Sequence, residues 1–339
     1  MTAIKDIEPL KTGYTPENIF DRETETEQLQ KGLQQLQNVH VHGPKGTGKT
    51  LVTEKSLEAL DIKTSYISCD QYDTQYKALK QITSELTREN ISSGHHTSEL
   101  QRRIQKQVEA VQTLIILDEL DFLLLNDGDD LLYFLSRIKA DLGLILVTAN
   151  HRELRNQLEE RTFSTLQPKR IGFEPFSGEE IYKILAERAR RSMKPRSLRR
   201  EALTYIASST QNLEAALTWL RVSAQQAEDT VTEDVVQQLT EEASQQYISQ
   251  QLQSFTHHHR LLYQAIEKVG SEQETIQTGE VYQRYKHLCS TYDESPLSDR
   301  RISDYIKQLE QLNLINSKYH YGGEKGKTRE ITVETVFNR

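Results

Sequence analysis

The octapeptide Gly43-Pro44-Lys45-Gly46-Thr47-Gly48-Lys49-Thr50 constrains this chain more than any other stretch. Its glycines allow a turn too tight for residues that carry a Cβ, and such a turn points successive backbone N–H groups at one spot. Asn38–His42 before it reads as a short strand, and Gly48–Leu60 after it reads as a helix whose N-terminus adds a positive dipole end. Strand, glycine-rich turn and helix in this order fit the phosphate-binding pattern G-x-x-x-x-G-K-[ST]. Gly43, Pro44, Lys45, Gly46, Thr47, Gly48, Lys49, Thr50 and Leu51 are therefore expected to hold ATP or ADP. Lys49 would neutralise the β- and γ-phosphates, and the Thr50 hydroxyl would meet Mg²⁺.

A loop of this kind needs a buried parallel sheet behind it, and the chain supplies candidate strands. Leu114–Leu117 is wholly apolar and ends in Asp118-Glu119, about 70 residues after the loop. Acids often simply end strands. At the end of a buried strand and at this spacing, Asp118 is expected to hold Mg²⁺ through water and Glu119 to act as general base. Thr64–Cys69, Leu142–Thr148 and Ile171–Phe173 read as further strands, with helices over Arg22–Leu36, Tyr76–Leu86, Leu100–Val111 and Leu131–Ala140. Asn150, just past the fourth strand, would orient the lytic water or cap the following helix. Alternating strands and helices imply an α/β fold with helices on both faces.

After Pro175 the pattern changes. Glu179–Arg191, Leu198–Ser208, Leu213–Ala227 and Thr232–Leu252 read as helices, with Thr232 as an N-cap. From Phe255 onward come three helices, Arg260–Val269, Thr278–Cys289 and Ser298–Leu312, then strands Leu314–Tyr319 and Arg329–Val333 around a glycine-rich basic turn. That order is the winged helix-turn-helix. The expected division is residues 1–174, a nucleotide-binding α/β domain; 175–253, a helical lid; and 254–339, a winged-helix DNA-binding domain. Residues 1–13 read as a disordered lead-in, and His257-His258-His259 as a solvated helix start.

On the third of those C-terminal helices, Ile302, Tyr305, Ile306, Leu309 and Leu312 share one apolar face. Arg300, Arg301, Ser303 and Lys307 are then left to meet DNA in a major groove, and Lys325, Lys327 and Arg329 on the wing suit phosphates or a minor groove. The net charge of −8 argues against a protein coated in DNA over its whole surface. No run of about 18 apolar residues points to a membrane span. With no apolar leader and only two widely separated cysteines, the expected setting is cytoplasmic and nucleoid-associated. A second basic run, Arg188 to Arg200, could touch phosphates or be a solvated face.

Further residues carry a family resemblance over nearly the whole length. Tyr14-Thr15-Pro16-Glu17 with Arg22-Glu23, Leu117-Asp118-Glu119-Leu120-Asp121, Arg161 with Ser164–Leu166, and Phe173-Glu174-Pro175-Phe176 are similar to motifs of the archaeal origin-recognition and replication-initiator family of AAA+ proteins. Gly279-Glu280-Val281-Tyr282 and Arg300-Arg301-Ile302-Ser303-Asp304-Tyr305 resemble its winged helix. The resemblance implies a P-loop core with strand order 5-1-4-3-2, a lid and a winged helix. It also implies binding of double-stranded origin DNA, recruitment of the replicative helicase, and association with itself or with paralogous initiators. Arg161 would be an arginine finger acting in trans, or else an ordinary surface arginine.

One departure bears on turnover. Where the family carries a lid arginine reaching the γ-phosphate, this chain has Gln211-Asn212-Leu213-Glu214. A slow ATPase is the expectation. The alternatives are an ATP-binding DNA switch or transcription regulator with little hydrolysis, and a transposition or defence ATPase.

Overall fold

Strand β3 (Thr113–Asp118) is buried at every position, and its side chains alternate between two cores. The computed structural model describes residues 3–149, 154–273, 276–323 and 326–337, the side chains of 320–323 and 326–328 not among them. They form two compact units, residues 15–180 and residues 1–14 with 181–339.

In the first unit the elements run α1 (Glu23–Gln34), β1 (Val39–His42), α2 (Lys49–Glu58), β2 (Lys63–Ser68), α3 (Gln75–Thr87), α4 (Thr97–Ala110), β3, α5 (Leu120–Asp127), α6 (Asp130–Ser136), β4 (Leu142–Thr148), α7 (Glu160–Leu166) and β5 (Lys169–Gly172). The five strands are parallel in the order β2-β3-β4-β1-β5, the expected order read from the other edge. On one face Leu114 and Ile116 join Ile145, Val147, Val39 and Val41 beneath Leu29 and Leu33 of α1 and Val52 of α2. On the other, Ile115, Leu117, Leu144 and Leu146 pack with Leu79, Ile82, Leu100, Ile104, Leu131 and Leu135 of α3, α4 and α6. Strands buried on both faces carry the continuous apolar runs seen in the sequence.

The second unit comprises α8 (Gly178–Ser192), which begins at the end of the first, then α9 (Arg200–Ser209), α10 (Leu213–Gln226), α11 (Glu233–Gln238), α12 (Thr240–Gln251), α13 (His257–Glu272), β6 (Ile276–Gln277), α14 (Thr278–Thr291), α15 (Asp299–Gln311), β7 (Ile315–Gly323) and β8 (Gly326–Val333). The short β6 pairs antiparallel with β8, so the wing is a three-stranded sheet. Trp219 of α10 is fully buried, donates to the Val236 carbonyl at 2.9 Å and meets the Phe337 ring at 4.2 Å between centroids. Among the described residues no helix is long and apolar enough to cross a membrane.

Several expectations need correction. Residues 3–13 are ordered against their unit: Ala3 and Leu10 are buried, Glu8–Leu10 form a 3₁₀ turn, and Ile4 bridges Met193. Two helices, α5 and α7, escaped the sequence pattern because each is only about two turns long. The helix expected over Thr232–Leu252 breaks at Leu239, although Thr232 caps α11 as expected by accepting from Val235 N.

His259 is not solvated. It is 3% exposed, lies stacked on Tyr305 with centroids 3.7 Å apart, and bonds Thr256 Oγ1 through Nδ1 at 2.9 Å and Gln308 Oε1 through Nε2 at 2.6 Å. A neutral ring protonated at Nε2 satisfies both partners. Burial pushes the imidazole down to about 4. Between pH 6.5 and 4 the unfolded chain takes up a proton that the folded chain refuses, so stability falls as pH drops through that window. In urea titrations at pH 7 and pH 4.5, His259→Gln is expected to lose roughly 2 kcal/mol less stability than the wild type between the two pH values. Equal losses would show that this imidazole is not what the acid acts on.

Candidate nucleotide and DNA sites

At the carboxyl edge of the five-stranded sheet, β1 runs out into Gly43–Gly48. Gly43 has φ 153°, and a Cβ there would stand 2.1 Å from the Phe173 carbonyl oxygen. Only glycine lets the loop leave the strand so close to the end of β5. Gly48, at φ 85°, sets the left-handed residue from which α2 starts. Lys49 is buried and donates to the carbonyls of Gly43 at 2.8 Å and Pro44 at 2.7 Å. Thr47 Oγ1 donates to the same Pro44 carbonyl at 2.9 Å. Leu51, in the first turn of α2, is half-buried.

β3 brings Asp118 to this loop. Asp118 Oδ2 accepts from Thr50 Oγ1 at 2.8 Å and from the Tyr66 hydroxyl at 2.5 Å, and Oδ1 accepts from Glu119 N at 2.8 Å. Burial, then the charge of Asp118, raises the Tyr66 pKa and keeps that phenol protonated as a donor. Thr50 and Asp118 thus present converging oxygens, the donor type that a hard cation such as Mg²⁺ takes. Glu119 has a left-handed backbone (φ 50°), and its Oε1 lies 3.1 Å from Lys45 Nζ. Asp121 Oδ2 accepts from Ala149 N at 2.7 Å, tying the turn after β3 to the end of β4. Asn150 lies outside the described residues.

The loop is braced from behind by a residue that no local sequence pattern marks for that role, Arg22. Arg22 is 5% exposed. Its Nε donates to the Thr47 carbonyl at 3.1 Å and Nη2 to the Glu174 carbonyl at 2.6 Å, while the guanidinium lies 3.9 Å from the Phe176 ring centroid. Burial lowers its pKa, and the charge of Glu25 opposes that shift. Arg22-Glu23 and Phe173–Phe176 both stand out as motifs in the sequence, but nothing in their spacing shows that they meet. Tyr66 and the Lys45–Glu119 pair were likewise missed as contacts.

Arg161 sits exposed on α7, with Nε 2.6 Å from Glu159 Oε2 and its guanidinium 4.4 Å from the centroid of the Tyr133 ring. None of those partners belongs to the loop or to the Asp118 cluster. In the other unit, Asn212 caps α10 by accepting from Glu214 N and Ala215 N, and Glu214 accepts from Gln251 at 3.1 Å.

In the winged helix, Ser298 caps α15, Ile302, Ile306 and Leu309 are buried, and Arg300 and Arg301 are exposed. Ser303 is half-buried, and Lys307 pairs with Asp304 at 3.2 Å. Arg329 departs from expectation: it is buried, donates to Glu310 at 2.5 Å and Ser317 at 2.6 Å, and so is bound up in joining α15 to the wing. Lys325 and the side chain of Lys327 lie outside the described residues. The basic run on α8 is also partly spent internally. Arg188 is buried against the carbonyls of Pro9 and Tyr14, and hydrogen bonds from Arg190 and Arg191 hold the Glu187 carboxyl down at about 2.

Comparison with known proteins agrees with this architecture. Residues 33–158 match the AAA domain family, and residues 250–337 match the family described as CDC6, C terminal winged helix domain. The chain is 30% identical to the ORC1-type DNA replication protein of Thermococcus kodakarensis, over 98% of this chain and 88% of that protein. It is similar to the Aeropyrum pernix ORC1 protein solved in complex with DNA, with a TM-score of 0.75 and 26% identity over 98% and 94% of the two chains. The fold is also that of the Aeropyrum pernix ORC2 protein solved as ADPNP-ADP complexes, at TM-score 0.60 and 21% identity over 96% and 93%.

The Arg22 brace yields a direct expectation. Arg22→Ala leaves the buried Thr47 carbonyl and the part-buried Glu174 carbonyl without their donor and should cost about 2–4 kcal/mol. Arg22→Lys should not restore it, because an ammonium cannot span both carbonyls as the planar fork does. Thermal melts of the three proteins would check this, and a loss under about 1 kcal/mol would contradict the bracing role.

Proposed function

The chain belongs to the family of ORC1-type DNA replication proteins, and from that premise we propose that it is an ATP-dependent initiator that binds duplex origin DNA. The observation that carries the reading is the convergence of Thr50 and Asp118, 2.8 Å apart, beside the loop that holds Lys49. Gly43 to Leu51 would seat the nucleotide, with backbone N–H groups and Lys49 on its phosphates. Thr50 and Asp118 would hold Mg²⁺, which supplies charge neutralisation when bound. Glu119 and Asn150 would orient the attacking water, and Arg161 would reach the nucleotide of a neighbouring subunit. The division into a nucleotide-binding domain (1–174), a lid (175–253) and a winged helix (254–339) belongs to the same reading. So do recruitment of the replicative helicase, association with paralogous initiators, and a place on the cytoplasmic chromosome.

On the DNA side, Arg300 and Arg301 at the start of α15 would enter a major groove, with Ser303, Lys307, Lys325 and Lys327 on the flanks. A second reading has a specific observation in its favour. Glu214 stands where the family resemblance implies a lid arginine, and its carboxylate is engaged with Gln251. On that reading the chain binds ATP as a switch and turns it over slowly.

Lys49→Ala is expected to weaken ATP binding by about 100-fold or more, read by fluorescence titration at millimolar magnesium. Affinity equal to wild type would remove the site. In gel-shift titrations on duplex DNA, Arg300→Ala and Arg301→Ala should each weaken binding by roughly tenfold. If either makes a phosphate contact instead, the logarithmic salt slope should drop by about one. Unchanged affinity and slope in both variants would remove α15 from the interface.

A further inference from the structure

We infer that Lys45 is a positioning residue that restrains ATP hydrolysis by holding the water-activating carboxylate of Glu119 in an ion pair. The inference rests on the reading of the loop and Glu119 as an ATP site, and it goes further by giving that site a built-in brake.

The geometry fixes both partners. Lys45 follows Pro44, whose carbonyl is bound by both Lys49 and Thr47, so its backbone cannot drift. Glu119 is held from the other side: its N–H donates to Asp118 Oδ1, and its backbone is in the left-handed region, which a residue with a Cβ adopts only under constraint. Between these anchors Lys45 Nζ stands 3.1 Å from Glu119 Oε1. The lysine side chain is only 9% exposed and the glutamate side chain 31%, so water and salt screen the pair less than a surface pair.

The consequence is chemical. In hydrolysis the water oxygen bonds to the terminal phosphorus, the bond from that phosphorus to the bridging oxygen breaks, ADP leaves, and the water proton passes to the carboxylate. A carboxylate does this only if an oxygen can accept from the water. Here an ammonium on Oε1 holds the carboxylate in one orientation, so the water must be met by Oε2 in that fixed orientation or the pair must open. Loop lysines Lys45 and Lys49 therefore divide the work: Lys49 faces the loop carbonyls and the phosphate seat, and Lys45 faces the base.

The test uses the full-length protein in saturating excess over ATP, with magnesium, in single-turnover assays. Lys45→Met should raise the hydrolysis rate roughly fivefold, and Lys45→Arg, which keeps a cation beside the carboxylate, should accelerate it less than Lys45→Met does. A Lys45→Met rate equal to or below wild type overturns the inference. Should that variant not fold, Lys45→Gln carries the same expectation. Should neither fold, a crystal structure of the wild type with a non-hydrolysable ATP analogue decides. Lys45 still on Glu119 supports the brake, and Lys45 on the terminal phosphate overturns it. The two readings fail differently. Absence of nucleotide affinity in the wild type removes the ATP site and the brake with it, whereas normal affinity without acceleration removes only the brake.

Discussion

The approach of Gly43 to the Phe173 carbonyl, where a Cβ would come within 2.1 Å, is the constraint on which the rest of the site depends. It lets β1 and β5 stay in register up to His42 and Gly172 while the chain turns out between them. Arg22 then spans the gap the turn creates, one nitrogen on Thr47 in the loop and another on Glu174 beyond β5. A buried guanidinium is costly unless its donors are met. Here the carbonyls of Thr47, Glu174 and Asp21 and the carboxylate of Glu25 meet them, with the rings of Phe173 and Phe176 beside the guanidinium. The loop is therefore held from behind by α1 and its approach, and its forward edge stays available for chemistry.

That forward edge is organised around one carboxylate. Asp118 takes Thr50 and Tyr66 on one oxygen and the Glu119 N–H on the other. The first two bonds tie β3 to α2 and β2. The third forces the turn in which Glu119 adopts its left-handed conformation. Strand ends, helix start and catalytic candidate are thus coupled through two oxygen atoms. A displacement of Asp118 would be felt by the loop threonine and by Glu119 together.

Much of this was legible in the sequence, for a physical reason. A phosphate-binding loop needs particular residues at particular offsets, and a doubly covered strand needs an apolar run, so Gly43–Thr50 and Leu114–Asp118 announce themselves. The parallel sheet and the wing follow from the same kind of periodicity. What was illegible lies in contacts between distant positions. Arg22 meets Glu174 across 152 residues and Tyr66 meets Asp118 across 52, and no local pattern encodes either distance. His259 looked like part of a polar triplet because helical phase, not composition, decides that it faces inward onto Tyr305 and Gln308. In the lead-in, Ala3 and Leu10 are too few apolar residues to mark an element in the sequence, yet each finds a buried place.

The same distinction between composition and placement bears on the DNA contact proposed for this acidic chain. Counting cations on the wing and α15 overstates what is offered. Arg329 is consumed in bonding Glu310 and Ser317, and Lys307 is paired with Asp304. Yet the buried Arg329 has a consequence for the surface: by fastening β8 to α15 it fixes the angle between wing and helix. Its bond to the Ser303 carbonyl reaches the turn of α15 next to Arg300 and Arg301. His259 steadies the same helix from beneath through Tyr305 and Gln308. A helix held from two sides has little backbone freedom left to lose, so in the proposed DNA contact the ordering cost falls mainly on the Arg300 and Arg301 side chains themselves.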